Sequence, residues 1–140
     1  MWYNPIMRGL LSSPLHFILS KNMMLMTYTG RKSGKVYTTP MNYLGINGAL
    51  YTTSYRDRIW WRNLRGGADV TLRLRGWDVT ARAETIEDQS EVADALLQYL
   101  KTAPQLAKYM DVRMDADGNP DDEDIARLAQ EMVVVRTELN

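Results

Sequence analysis

The 140-residue sequence contains no cysteine, one histidine and one phenylalanine. Without cysteine the chain forms no disulfide and no thiolate metal site, and it has no cysteine nucleophile. A single histidine, His16, argues against a metal site of several histidines and against a Ser-His-Asp triad. The acidic run 115–121 resembles the start of a calcium loop, but Pro120 and Ala126 stand where that loop needs Gly and Glu. We therefore expect no metal site, and any chemistry should come from a bound cofactor.

Long hydrophobic runs are also missing. The apolar stretch at 6–19 is interrupted by Arg8, Pro14 and His16, so it is too short and too broken to span a bilayer. It lacks the charged start and the small-residue cleavage site of a signal peptide. We expect an amphipathic helix within residues 1–20 that covers the core or a ligand, in a cytoplasmic protein. Contact of this segment with a membrane surface stays open.

The overall composition is that of an ordinary folded domain, with 45% hydrophobic and 24% charged residues. We expect one domain over residues 1–140. The net charge of zero conceals an asymmetry, because residues 1–82 hold 12 basic and three acidic side chains, whereas residues 83–140 hold five basic and 14 acidic ones. Such a field attracts an anion to the first half of the chain. The alternative is that the two halves neutralise each other in the fold.

Turn signals and short β-compatible segments predict antiparallel strands. Asn47-Gly48 and Arg75-Gly76 each suit a two-residue hairpin turn. The second turn pairs Leu74 with Trp77 and brings the apolar residues of both strands onto one face. Six strands follow, at 23–29, 36–46, 49–54, 70–74, 77–83 and 132–136.

Helices are expected between and after these strands. A short helix over Asp57–Arg65 should end at Gly66-Gly67, and Asp88 with Glu91 resembles a capping box. Further helical segments are expected at Pro104–Met110 and Asp121–Gln130. The predicted fold is mainly β (α+β): a six-stranded antiparallel barrel with short flanking helices. Its core lies in residues 23–86, its helices in 88–130 and its final strand in 132–136.

Two basic segments are candidates for ligand binding. Gly30–Lys35 places three cations and two glycines in six residues after a strand, which suits an anion site, although a solvated turn explains the composition equally well. It is not the nucleotide-binding loop that ends in Lys-Ser/Thr, because Val36 follows its last lysine. Tyr55–Arg65 interleaves arginines with tryptophans, as in a stacking site for nucleotides or in a helix that buries one tryptophan. The chain has no basic net charge, and we expect no nucleic-acid partner.

An ordered series of motifs resembles the deazaflavin-dependent nitroreductase family. The resemblance spans about residues 23–86. Its motifs are Thr29–Lys35, Thr38–Met41, Ser54, Trp60–Leu64, Val70–Leu72 and Thr80–Ala83. It implies a split β-barrel, a fold shared with FMN-dependent flavoproteins. It also implies hydride transfer from the reduced deazaflavin coenzyme F-420 to a nitro, quinone or enone substrate, with homodimers common in this class.

The resemblance assigns residues to the cofactor site. The phosphate and acidic tail would bind at Arg31, Lys32, Ser33, Gly34 and Lys35. Three further residues, Thr38, Thr39 and Pro40, would lie beside the cofactor, and Trp60, Trp61 and Asn63 would close the groove. Ser54 would lie close to the deazaflavin ring. Ser54 and Tyr109 are the candidate catalytic residues, as hydrogen-bond donors to the accepting oxygen.

Two departures from the family pattern keep alternatives open. Tyr37 stands where the family usually has a basic residue, and Asn42 where it has an aromatic one. The alternatives are an FMN-dependent reductase and a non-catalytic barrel that binds a flavin, haem or lipid-like ligand.

The basic loop yields a first prediction. Replacing Lys32 and Lys35 together by Ala should weaken binding of the anionic cofactor, and the loss should shrink at high salt because the contacts are ionic. Fluorescence titration at two ionic strengths measures both effects. Unchanged affinity would place the anion site elsewhere.

Overall fold

The computed structural model describes residues 23–140. The helix expected within residues 1–20, and with it any contact with a membrane surface, lies outside the described residues. In residues 23–140 no helix is long and apolar enough to cross a membrane.

Seven antiparallel strands form one sheet in the order β2-β1-β5-β6-β7-β4-β3. Their bounds are β1 Met23–Thr29, β2 Val36–Asn42, β3 Leu44–Ile46, β4 Ala49–Tyr55, β5 Ala68–Leu74, β6 Trp77–Ile86 and β7 Met132–Leu139. Because β2 and β3 are consecutive in sequence yet occupy opposite edges, the sheet must curl until these edges approach each other. The result is the half-open antiparallel barrel that the sequence indicated.

The predicted number of six strands is wrong. The segment 36–46, predicted as one strand, is two strands that separate at Tyr43. The part before Tyr43 pairs with β1, from Thr29 opposite Val36 to Met23 opposite Asn42. The part after it pairs with β4, where Leu44 lies opposite Tyr51. The chain therefore changes edges at Tyr43, which one strand cannot do.

Both predicted hairpin turns are confirmed. Asn47 and Gly48 have φ values of 51° and 82°, and Arg75 and Gly76 have φ values of 50° and 86°. Positive φ at both central residues gives a turn whose twist matches that of the strands. Leu74 lies opposite Trp77, as the alternation requires.

The first four residues of strand β7, 132–135, are buried on both faces and divide the core into two layers. Val133 and Val135 point into the barrel, against Met26, Leu72 and residues of other strands. Val134 and Met132 belong to the second cluster, on the other side of the sheet. This arrangement explains the uninterrupted apolar run of β7, because a strand covered on both faces does not alternate.

The second layer consists of two helices and a 3₁₀-helix. Helix α1 spans Gln89–Thr102, helix α2 spans Asp122–Glu131, and the 3₁₀-helix η2 spans Pro104–Met110; another 3₁₀-helix, η1, spans Trp60–Leu64 on the barrel side. Asp88 caps α1 as predicted, accepting a hydrogen bond from the Glu91 backbone N–H at 3.2 Å. The buried stripe of α1 includes Tyr99, so this layer also contributes aromatic surface to the barrel edge.

An Arg113–Asp124 contact holds the loop before α2 onto that helix. The Asp124 carboxylate accepts bonds from the Arg113 backbone N–H and Nε, each at 2.9 Å. The pKa of Asp124 lies below its ordinary value, and the largest cause is the hydrogen bond from the Arg113 side chain. Because the folded protein then binds this proton more weakly than the unfolded chain, the contribution of Asp124 to stability is present above the unfolded pKa and is lost as pH falls through the depressed one.

We expect the free energy of unfolding to decline as the pH is lowered from about 4. Asp124→Asn should be less stable at neutral pH and should show a shallower decline on acidification, both measured by urea unfolding over a pH series. The exposed Asp122 of the same helical turn supplies the control, Asp122→Asn. An unchanged acid slope in Asp124→Asn would contradict this assignment.

Candidate functional site

The loop between β1 and β2 is closed by its own backbone. The Gly30 N–H donates to the Lys35 carbonyl at 2.7 Å, and the Gly34 N–H donates to the Gly30 carbonyl at 2.8 Å. Gly34 has a φ of 70°, which glycine adopts readily. A Cβ on Gly30 would lie 2.7 Å from the ring of Tyr37 and 2.8 Å from Ser33 Oγ. The loop therefore needs its first glycine for close packing and its second for backbone conformation.

Hydrogen bonds fasten this loop to η1. The Arg31 backbone N–H donates to Asn63 Oδ1 at 3.0 Å, and Asn63 Nδ2 donates to the Trp60 carbonyl at 3.0 Å. The Arg31 guanidinium donates to the Arg65 carbonyl and, at 3.4 Å, to the Gly67 carbonyl. The loop and η1 thus become two walls of one groove.

The groove has a volume of about 680 Å³ and a positive lining. Its lining residues, all from β1, β2, the loop and the η1 region, are Tyr28, Gly30, Arg31, Lys32, Ser33, Tyr37, Ile59, Trp60, Arg62, Asn63 and Arg65. Of the described residues, four cations and no carboxylate line it. A groove of this size and charge can hold a phosphate-bearing ligand.

The four cations differ in how far they are already paired. Arg65 forms a bidentate ion pair with Glu87, with N···O distances of 2.9 and 3.0 Å, and Arg31 is bonded to backbone carbonyls. Lys32 has no hydrogen bond or ion pair to another residue of the segment 23–140. Arg62 lies over the ring of Trp61, 5.6 Å from its centroid. Lys32 and Arg62 therefore carry the charge that is available to a ligand.

Three aromatic side chains form a row along the groove. The rings of Tyr37 and Tyr28 stack with centroids 5.9 Å apart, and Tyr28 lies 6.4 Å from Trp60. Burial raises the pKa of Tyr28, against the smaller opposing effect of its hydrogen bond with Thr39 at 3.1 Å. Its phenol therefore stays neutral at physiological pH, and the row is an uncharged wall beside the cations.

A second cavity of about 350 Å³ adjoins the groove at Trp60. Trp60 lines both spaces, and the remaining lining comes from β2, β4, α1 and η2: Thr39, Pro40, Met41, Asn42, Thr52, Thr53, Tyr99, Leu106, Tyr109 and Met110. These residues carry no formal charge at neutral pH. The cavity thus suits an uncharged ring, whereas the groove suits an anion.

The Ser54 hydroxyl fixes the orientation of Trp60. The Trp60 indole N–H donates to Ser54 Oγ at 3.0 Å. Ser54 itself is only 8% exposed and lies behind the tryptophan instead of lining either space. Its position therefore favours a role that acts through Trp60.

The two tyrosines of the second cavity differ in exposure. Burial raises the pKa of Tyr99, against the effect of a hydrogen bond with Thr53, and the side chain is only 6% exposed. Tyr109, the residue chosen from the sequence, is 74% exposed at the rim.

The structure brings together most of the residues chosen from the sequence. Around the groove lie Arg31, Lys32, Ser33, Trp60 and Asn63, and around the second cavity lie Thr39, Pro40, Trp60 and Tyr109.

Besides Ser54, four chosen residues do not line either space. Gly34 and Lys35 lie at the end of the loop away from the groove lining, and the Thr38 hydroxyl meets that of Thr27 at 3.0 Å. Trp61 is 3% exposed within the barrel core, and its indole N–H donates to the Tyr55 carbonyl at 3.1 Å.

Tyr28 and Ile59 are groove residues that sequence reasoning missed. Tyr28 precedes the basic loop by two positions at the end of a strand, which would have been a usable signal. The sequence gives no sign that Ile59 lines a groove, because an isoleucine before a short helix does not by itself indicate a ligand site.

Comparisons with known proteins show the fold. No protein-family model and no curated protein matches the chain. Among solved structures it is similar to an FAD-binding protein of Mesorhizobium loti (18% identity, 91% of this chain and 88% of that one, TM-score 0.54). It is also similar to an F-420-H2-dependent reductase (17%, 83% and 94%, TM-score 0.51). A third similar structure is a candidate pyridoxamine 5′-phosphate oxidase of Listeria innocua (15%, 90% and 90%, TM-score 0.52). At such identities the likeness shows a shared split-barrel fold.

The Ser54–Trp60 contact yields a prediction. Ser54→Ala leaves a half-buried indole N–H without its acceptor and should lower the free energy of unfolding by about 1 kcal/mol. Trp60→Phe removes the donor, so the double variant should show a coupling energy of about the same size, measured by urea unfolding of all four proteins. If the losses of unfolding free energy in the two single variants add up to that of the double variant, the hydrogen bond does not hold Trp60.

Proposed function

We propose that this protein is an oxidoreductase that binds the deazaflavin coenzyme F-420 and reduces a nitro, quinone or enone substrate. The observation that carries the proposal is the junction at Trp60 of a cationic groove and an uncharged cavity. An anionic cofactor with a flat ring needs both environments next to each other. The similar F-420-H2-dependent reductase supports the choice, since it places such chemistry on the same fold.

The residues present fit such a cofactor. Lys32 and Arg62 would bind its phosphate and acidic tail, while Arg31 and Asn63 keep the two walls of the groove at a fixed spacing. Among the other residues chosen from the sequence, Ser33 lies in the groove wall, and Thr39 and Pro40 would lie beside the ring. When bound, the reduced cofactor supplies a hydride.

The protein's own contribution is to orient the ring and limit water. Trp60, fixed by Ser54, separates the tail groove from the second cavity, where an uncharged substrate would lie. Tyr109 at the rim and Tyr99 inside the cavity are the phenols able to donate a hydrogen bond to an accepting oxygen. Holding the cofactor ring and the substrate in a reactive orientation in this way can supply a large part of the rate enhancement.

An FMN-dependent reductase is the second candidate, and Tyr37 is the observation that favours it. It fills the place of a basic residue and reduces the charge available to a long acidic tail, which FMN does not have. The uncharged second cavity also suits a non-catalytic barrel that holds a flavin, haem or lipid-like ligand. A homodimer remains a prediction in each case.

Titration of the purified protein with oxidised and reduced F-420 and with FMN, followed by fluorescence, tests the function. We expect F-420 to bind in the micromolar range or better, and the protein to oxidise reduced F-420 when a quinone is added. If neither cofactor binds at micromolar concentrations, the proposal fails. Binding without turnover would instead identify the non-catalytic barrel.

Single variants separate the cations of the groove. Lys32→Ala and Arg62→Ala should each weaken F-420 binding by about 1 kcal/mol, roughly fivefold in Kd, with a smaller effect at high salt. Lys35→Ala removes the same charge three residues after Lys32 but outside the groove lining, and serves as the matched control. If Lys35→Ala weakens binding as much as Lys32→Ala, long-range charge and not the groove explains the affinity.

A further inference from the structure

The groove contains an aromatic surface that a purely acidic tail does not require. Tyr37 is 43% exposed, although the Tyr28 ring covers it at a centroid distance of 5.9 Å and an interplanar angle of 29°. The part of Tyr37 left open therefore faces away from Tyr28. Tyr37 is also one of the residues that line the groove.

The position of this ring is fixed before any ligand binds. Gly30 leaves the space that the Tyr37 ring occupies, since a Cβ there would be 2.7 Å from its Cε2. Ser33 Oγ lies 3.3 Å from the Tyr37 hydroxyl and holds the outer end of the ring. A ring that is ordered in advance loses little conformational entropy when a ligand stacks on it.

Apolar and cationic groups accompany the ring. Ile59, 71% exposed, lines the same groove, so a flat ligand on Tyr37 would also cover an aliphatic side chain. Lys32 follows Gly30 by two residues, and Arg62 stands on the opposite wall. An aromatic surface flanked by cations is what a nucleobase linked to phosphates requires.

We propose that the groove binds a nucleoside diphosphate group, with its base on the open face of Tyr37 and its phosphates at Lys32 and Arg62. The group has two sources, a free nucleotide or the distal half of a dinucleotide cofactor. This inference uses the same groove as the proposed function but does not depend on redox activity. A nucleotide bound there would compete with the acidic tail of F-420.

Calorimetric titration with ADP and with inorganic pyrophosphate tests the role of the base. ADP should bind about tenfold more tightly than pyrophosphate, because stacking on an aromatic side chain contributes an affinity of this order. Tyr37→Ala should abolish this difference and leave pyrophosphate binding unchanged. Tyr55→Ala, which removes a 53% exposed tyrosine outside the groove lining, should preserve the difference.

The proposal is overturned if ADP binds no more tightly than pyrophosphate, or if Tyr37→Ala weakens both equally. Thermal unfolding shows whether Tyr37→Ala is folded. Should it not fold, saturation-transfer NMR on the wild-type protein decides, because transfer from protein aromatic protons to the adenine protons is required.

Titration with FAD and FMN distinguishes the two sources. A dinucleotide source requires FAD to bind more tightly than FMN, with the gain lost in Tyr37→Ala. A free-nucleotide source requires ADP to bind through Tyr37 while FAD gains nothing over FMN. If F-420 and both flavins fail to bind while ADP binds through Tyr37, the proposed oxidoreductase fails and this inference stands. If F-420 binds but ADP does not, this inference fails and the proposed oxidoreductase stands.

Discussion

The hydrogen bonds of Arg31 to η1 and the residues after it are the constraint on which the groove depends. The loop and η1 are both surface segments. Hydrogen bonds within either segment do not set the distance between the two. Arg31 bridges 32 residues of sequence to Asn63 and reaches the carbonyls of Arg65 and Gly67. Because this arginine is committed to backbone carbonyls, it acts first as a structural residue, and the charge left available in the groove is that of Lys32 and Arg62.

The curl of the sheet decides where the second cavity lies. Strands β2 and β3 occupy opposite edges, so the open side of the barrel is bounded by β2, β4 and the residues of α1 and η2. Trp60 projects to this opening from η1 and is held there by Ser54 on β4. One indole therefore connects three parts of the chain, and a shift of η1 would alter both the groove and the cavity.

Features that depend on a few neighbouring residues were predictable from the sequence, such as the two hairpin turns, the Leu74–Trp77 register and the Asp88 cap. The break at Tyr43 was not, because it depends on which distant strands pair with each half of the segment. The adjacent Trp60 and Trp61 had the same expected role, yet one lines the groove and the other is buried in the barrel core. A 3₁₀-helix points consecutive side chains about 120° apart, and only the packed position of η1 decides which of them faces the groove.

In the folded protein, some charged side chains of the two halves form ion pairs, whereas others remain available to a ligand. Among ion pairs between described residues, only Arg65–Glu87 joins the basic half to the acidic half. The other pairs, such as Arg82–Asp69 and Arg113–Asp121, lie within one half. Within residues 23–140, the basic and acidic halves of the chain therefore neutralise each other by a direct ion pair only at Arg65, on one side of the groove. Since Lys32 and Arg62 are not neutralised by these pairs, the field of the basic half remains directed at the space between the loop and η1, where an anionic ligand gains most from it.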